Sequence, residues 1–199
     1  MTEDHSWEEY YQKIKGRPQR QLLFDTLAYF GNEIENRQRL AIDLGCGDGT
    51  ESALLLERGW NILAIDGEPT AIQHLLAKVP KEGQRRLQTQ VTKFEEISLP
   101  SADLIHVSFS LPFCAPEHFD AFWRKIINAI KPSGRFVGQF FGIRDSWANK
   151  PDMTFHTENQ VRAMFEAFEM ESFHEQDEDG TSASGPKHWH AFTVIARKR

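Results

Sequence analysis

The 199-residue chain has only two cysteines, Cys46 and Cys114, and they share no C-x-x-C spacing. That excludes a disulfide-stapled scaffold and a thiolate metal site, and it suits a reducing cytoplasm. No apolar run approaches the ~20 residues that a membrane span needs, and no signal-peptide pattern is present. Positive charge is also short. Against 29 Asp and Glu stand 23 Lys and Arg, for a net charge of −6, so there is no basic field to gather phosphate backbones and no nucleic-acid partner is expected. Internal repeats and low-complexity tracts are missing, as is the Gly-Lys-Ser/Thr that ends a P-loop. What remains, 40% apolar and 26% charged residues, is the composition of one globular domain with a sizeable core.

The most informative stretch is Leu40 to Glu51, LAIDLGCGDGTE. A short apolar run ends in an acid, Asp43. Three alternate glycines follow, Gly45, Gly47 and Gly49, and then a helix-like segment to Arg58. A buried strand that breaks into a glycine turn and feeds a helix is the nucleotide-binding entry of an open α/β sheet. The dinucleotide fingerprint G-x-G-x-x-G does not fit, because the third glycine comes one residue early and Thr50 holds its place. A second apolar strand, from Asn61, ends in Asp66 before Gly67. An acid there, about 20 residues past the glycine loop, accepts hydrogen bonds from ribose hydroxyls; a helix cap before Thr70 is the plainer alternative.

The pattern D-x-G-x-G-x-G after an apolar run resembles motif I of the class I S-adenosylmethionine-dependent methyltransferases. A helix from Pro116, with Phe119, Phe122, Trp123, Ile126, Ile127 and Ile130 at helical spacing, ends in Lys131-Pro132-Ser133-Gly134 before a strand, and this second feature is similar to the same family. The resemblance implies S-adenosylmethionine as cofactor and S-adenosylhomocysteine as product. It places Asp43 near the methionyl ammonium, with the Gly45, Cys46 and Gly47 backbone along the amino acid and ribose. Asp66 and Gly67 then meet the ribose, and Thr92 and Phe94 the adenine, although Val91-Thr92 replaces the family's usual acid. Ser108, Phe109 and Leu111 stand beside the reacting methyl. Tyr11 and Arg17, with Trp7 and Tyr10, are candidates for a lid over the methionine end, or an amphipathic helix packing its aromatics on the core.

In order, helices are expected over Trp7–Lys15 and Pro18–Phe30, with Gly31-Asn32 as a stop, and over Thr70–Lys78. Strands are expected at Leu87–Val91 and Ala102–Phe109, with His106 inside the latter as a core histidine. Thr157 to Gln160 reads as a capping box for a helix to Phe165. Phe168–Gln176 and Trp189–Lys198 read as a strand pair joined by a mobile link, Asp177 to Lys187. The loop after strand five offers Arg144, Asp145 and Trp147 as substrate contacts, or is a surface loop whose Arg–Asp pair is local. His174, His188 and His190 near the last strands read as incidental, so no metal is expected.

The resulting expectation is an α/β Rossmann-like fold: seven strands, mostly parallel with one antiparallel, and helices on both faces. The strand order 3-2-1-4-5-7-6 comes from the resemblance. One domain spans 1–199, divided into a helical lid segment 1–36 and a core 37–199. The branch most resembled is the small-molecule one that includes the tellurite-resistance methyltransferases. The function implied is methyl transfer to an N, O or S nucleophile of a small molecule. A non-catalytic cofactor-binding scaffold and a nicotinamide oxidoreductase are the alternatives; no catalytic base is assigned.

Overall fold

The structure is a computed structural model and describes residues 7–14, 16–31 and 38–199. The expected helix end at Lys15, the stop at Asn32 and the lid–core boundary at residues 36 and 37 lie outside them.

Continuous apolar runs such as Ala41-Ile42 and Ile62–Ile65 can be buried only where both faces of a sheet are covered, which favours parallel strands with crossover helices. The chain builds that arrangement. Its strands are β1 (Leu40–Leu44), β2 (Asn61–Asp66), β3 (Leu87–Val91), β4 (Ala102–Val107), β5 (Ile130–Gly142), β6 (Phe155–His156), β7 (Phe168–Ser182) and β8 (Gly185–Lys198). They run in the order β3-β2-β1-β4-β5-β8-β7, with β6 beside β5. β1 to β5 pair in parallel, while β8 lies antiparallel to β5 and β7. The expected order therefore holds, and the expected count of seven becomes eight among the described residues. The extra strand, β6, pairs only two residues with the end of β5, too few for any periodicity to reveal.

Seven α-helices accompany the sheet among the described residues: α1 (Trp7–Lys13), α2 (Gln21–Tyr29), α3 (Thr50–Glu57), α4 (Pro69–Lys78), α5 (Lys81–Gln84), α6 (Pro116–Ala129) and α7 (Glu158–Met164). On one face Leu23 of α2, Leu54 and Leu55 of α3 and Leu75 of α4 pack against Ala41, Ile62 and Leu104. On the other, the α6 stripe of Phe119, Phe122, Trp123 and Ile126 joins Val161 and Phe165 over Ile42, Ile105 and Phe136. Fully burying one such ring or branched chain contributes about 1.5–3 kcal/mol, so these two layers carry most of the fold's stability.

Three local expectations are corrected. Pro18 does not open α2; Arg20 is its extended N-cap and the helix starts at Gln21. β4 stops at Val107 instead of Phe109, because Phe109 turns to φ +56°. The stretch from Asp177 to Lys187 is a hairpin, paired from Asp177↔His190 to Ser182↔Gly185. Its residues are polar on both faces, so no alternation marks it as strand, and the backbone ladder with the His188–Asp179 and His188–Asp177 contacts holds it. The capping box at the start of α7 forms as read, Thr157 and Gln160 each bonding the other's backbone.

Candidate active site

The glycine turn folds back onto the end of β2. The Gly45 and Cys46 amides both donate to the Ile65 carbonyl, at 2.8 and 3.1 Å. Gly45 has φ +70°, and a Cβ there would stand 2.4 Å from that of Ser110; only glycine fits. Asp66, at the tip of β2, is 7% exposed. Its two carboxylate oxygens accept from the Gly47 and Glu68 amides, each at 2.9 Å. Burial raises its pKa against those two donors. Its carbonyl takes the Thr92 amide at 2.9 Å, which brings the end of β3 alongside. Gly67 is exposed, and a Cβ added there would meet nothing nearer than the Thr92 carbonyl at 4.0 Å. Phe94 lies 4.5 Å from Phe122, ring stacked on ring, and its tip is 3.6 Å from the Cβ position of Gly45. Cys46 is buried, which pushes its thiol pKa well up and makes it a packing residue.

Asp43 and His106 sit on directly paired residues of β1 and β4, so their side chains leave the sheet together. His106 Nδ1 is 2.8 Å from one Asp43 oxygen, and Ser52 at the start of α3 donates to the other at 2.6 Å. Asp43 is 1% exposed and His106 2%. The segment before α2 covers this layer. The fork of Arg17 closes on Glu51, with Nη1 at 2.6 Å from Oε1, and the Arg20 amide reaches the same carboxylate at 3.4 Å. From α1, the buried Tyr11 ring lies 3.6 Å from the Cβ position of Gly47 and 5.7 Å from the His74 ring, while Trp7 packs edge-on to Phe113 at 5.0 Å. Of the expected set, Asp43, Gly45, Cys46, Gly47, Asp66, Gly67, Thr92, Phe94, Tyr11 and Arg17 therefore gather at the ends of β1, β2 and β3.

Beyond β4, Ser108 is half-buried and Phe109 joins an aromatic cluster. Its ring lies 6.1 Å from Phe141 and 5.7 Å from Trp189, and the Arg20 guanidinium lies 4.7 Å above it. Trp147 belongs to the same cluster, 6.0 Å from Phe141. Inside it sits the Lys187 ammonium, 3.9 Å from the Trp147 ring centre and 4.6 Å from that of Trp189, paired with a buried Asp145. Leu111 does not reach this surface; it is 1% exposed and packs in the core under α6. Arg144 turns away to Glu175 and Asp177, at 2.7 and 2.6 Å, beside a shallow hollow of about 400 Å³ that His174 also lines.

Sequence reasoning missed Glu51, Arg20 and Lys187, and it offered Asp145 as a substrate contact, whereas the structure buries that carboxylate against Lys187. Lys187 carried a signal, a charge two residues from Trp189, which calls for a partner of opposite sign without saying which residue supplies it. His190 and His188 do not share a ligand. The first contacts Glu175 at 3.0 Å and the second Asp177 at 2.9 Å. Glu175, Asp177 and His190 do bring three ligand atoms within 4.8 Å of one another, but the Arg144 guanidinium already lies between the two carboxylates.

A parallel sheet with one reversed strand, a glycine turn over an acid-tipped second strand, and helices on both faces define the class I S-adenosylmethionine-dependent methyltransferase fold. Within it, residues 41–134 match the family described as a methyltransferase domain. Among solved structures the chain is similar to TehB of Haemophilus influenzae, with 18% identity, a TM-score of 0.76, and 97% of this chain and 67% of that one covered. It is also similar to the Burkholderia thailandensis 1,6-didemethyltoxoflavin-N1-methyltransferase, solved with 1,6-didemethyltoxoflavin and S-adenosylhomocysteine bound, at 20% identity, 90% and 77% coverage and a TM-score of 0.65. A third is the magnesium protoporphyrin IX methyltransferase of Synechocystis with bound S-adenosylmethionine, at 13% identity, 98% and 92% coverage and a TM-score of 0.69. Identities this low speak for the fold alone. A search of curated proteins by sequence finds no significant match.

Proposed function

We propose that the chain is a small-molecule methyltransferase that uses S-adenosylmethionine and releases S-adenosylhomocysteine. The observation that carries the reading is Asp66, a buried carboxylate at the tip of β2, fastened by the Gly47 and Glu68 amides beside the open backbone of Gly67. Two amide bonds fix the direction of that carboxylate, which suits it to a ribose diol. The edge from Thr92 to Phe94 would take the adenine. The ligands of the toxoflavin and protoporphyrin enzymes support both the cofactor and a small-molecule acceptor.

The bound cofactor supplies a methyl on a positively charged sulfur, already activated toward an N, O or S nucleophile. The chain's work is then to hold an acceptor in line, and well-oriented neighbours alone supply about 7–11 kcal/mol of a barrier. Phe109, Trp147 and Trp189 give that acceptor flat, half-buried walls in place of Leu111 and Arg144, and they keep water from the sulfur. The described part of the N-terminal segment acts as the lid, with Tyr11 over Gly47 and Trp7 edge-on to Phe113. No described helix is long and apolar enough to cross a membrane, and both cysteines are free, in keeping with a cytoplasmic role.

Calorimetric titration with S-adenosylmethionine, S-adenosylhomocysteine and NADH tests the cofactor. The first two are expected to bind and the third not to. Consumption of the methyl donor across a metabolite panel then tests turnover; binding without turnover on any acceptor identifies a scaffold.

A further inference from the structure

Buried polar atoms without partners are rare, and each calls for an explanation. Among the described residues six side-chain atoms are buried and unpartnered: Arg17 Nε, Arg20 Nε, His74 Nε2, His106 Nε2, Ser108 Oγ and His156 Nδ1. Four of them belong to one layer, over the ends of β1 and β4. Arg17 and the Arg20 amide share Glu51. Burial would raise the Glu51 pKa, and the Arg17 guanidinium holds it below its ordinary value. Arg20 stacks over Phe109, the residue next to Ser108.

The four atoms have a definite chemistry. A carboxylate only accepts, so the His106 nitrogen facing Asp43 carries a ring proton, and in the neutral ring Nε2 then keeps a lone pair. The layer therefore offers one buried acceptor, one hydroxyl and two guanidinium N–H donors. An ammonium is the complement of the first, and a carboxylate is the complement of the donors. Together they describe the head group of an α-amino acid. Asp43, which the family resemblance places near the ammonium, has one oxygen on His106 and the other on Ser52 and is 1% exposed.

We propose that His106, not Asp43, receives the ammonium of the cofactor's amino-acid end through Nε2, with Asp43 behind it as the group that fixes the ring, and that Arg20 and Ser108 receive the carboxylate. This rests on S-adenosylmethionine being the cofactor. His106 is then a binding residue and Asp43 a positioning residue.

The test separates binding from mere support of Asp43. His106→Asn keeps an N–H at the position that faces Asp43 and removes the acceptor at Nε2. Calorimetric affinity is measured for S-adenosylhomocysteine, which has the amino-acid end, and for 5′-methylthioadenosine, which lacks it. A hydrogen bond to a charged group predicts about tenfold or greater weakening for S-adenosylhomocysteine, with 5′-methylthioadenosine unchanged within about twofold. Equal loss for both ligands, or no loss for either, overturns the assignment. Arg20→Met reads the carboxylate half without touching Asp43, and the same selective loss is expected; an unchanged S-adenosylhomocysteine affinity overturns it. If the unmodified protein binds neither ligand, the cofactor reading fails and this assignment falls with it. Binding of both ligands by the unmodified protein, without selectivity in the variants, removes this assignment alone.

Discussion

Arg17 grips Glu51 across 34 positions of sequence, both ends of its guanidinium on both carboxylate oxygens. The Glu51 side chain is 4% exposed and that of Arg17 20%, so the pair fastens the segment before α2 to the first turn of α3. Removing one member of a buried pair leaves a charge with no compensation, which costs about 3–5 kcal/mol. Arg17→Met is expected to lose about 3 kcal/mol in urea unfolding, toward the low end because Arg17 keeps some solvent. Arg17→Met with Glu51→Gln should recover more than half of that. A single variant as stable as the parent contradicts this account of the segment.

The caged Lys187–Asp145 pair gives a second case, with side chains 1% and 0% exposed. Asp145 also accepts the Trp147 and His190 amides, at 3.0 and 3.2 Å. Lys187→Met is expected to cost about 3–5 kcal/mol and Lys187→Met with Asp145→Asn clearly less. The double-mutant cycle in urea reads the coupling, and additive losses would show that the two charges do not depend on each other.

The turn at Gly45 predicts an outcome with two separable parts. Gly45→Ala meets both the positive φ, about 1–2 kcal/mol for a residue with a Cβ, and the Ser110 side chain at 2.4 Å. Thermal unfolding of Gly45→Ala should fall, and Ser110→Gly in the same chain should restore the steric share and leave the backbone share. Full restoration would mean the backbone is unstrained.

His156 sets a pH dependence. Burial among Phe119 and Phe140 lowers its pKa to about 4 from 6.5. The unfolded chain binds this proton first as pH falls, so the stability contribution is complete above pH 6.5 and declines toward pH 4. The gap corresponds to about 3 kcal/mol. Urea unfolding between those limits should show a shallower slope in His156→Phe than in the parent. Parallel slopes would assign the acid sensitivity to other groups.

These particulars show what was legible in the chain. The glycine turn, Asp66 and the α6 stripe were readable because each is a local pattern: a spacing forced by backbone geometry, or a periodicity of 3.6. The hairpin from Asp177 was not, since a strand that is polar on both faces leaves no period-2 trace. β6 was too short to leave one. The candidate site was readable where it follows the chain and hidden where it crosses it. Nothing near Arg17 announces Glu51, and nothing near Lys187 announces Asp145, because such pairs are fixed by strand order and helix placement. His106 read correctly as a buried strand histidine. Its bare Nε2 depends on Asp43 lying across from it in β1, which only the β1–β4 register supplies.

The most direct test of the central claim is calorimetric binding of S-adenosylhomocysteine to the protein and to Asp66→Ala. The account predicts saturable one-site binding to the parent and at least about tenfold weaker binding to the variant, as expected when a charged hydrogen-bond acceptor is removed. No binding to the parent, or equal affinity in both, would contradict it.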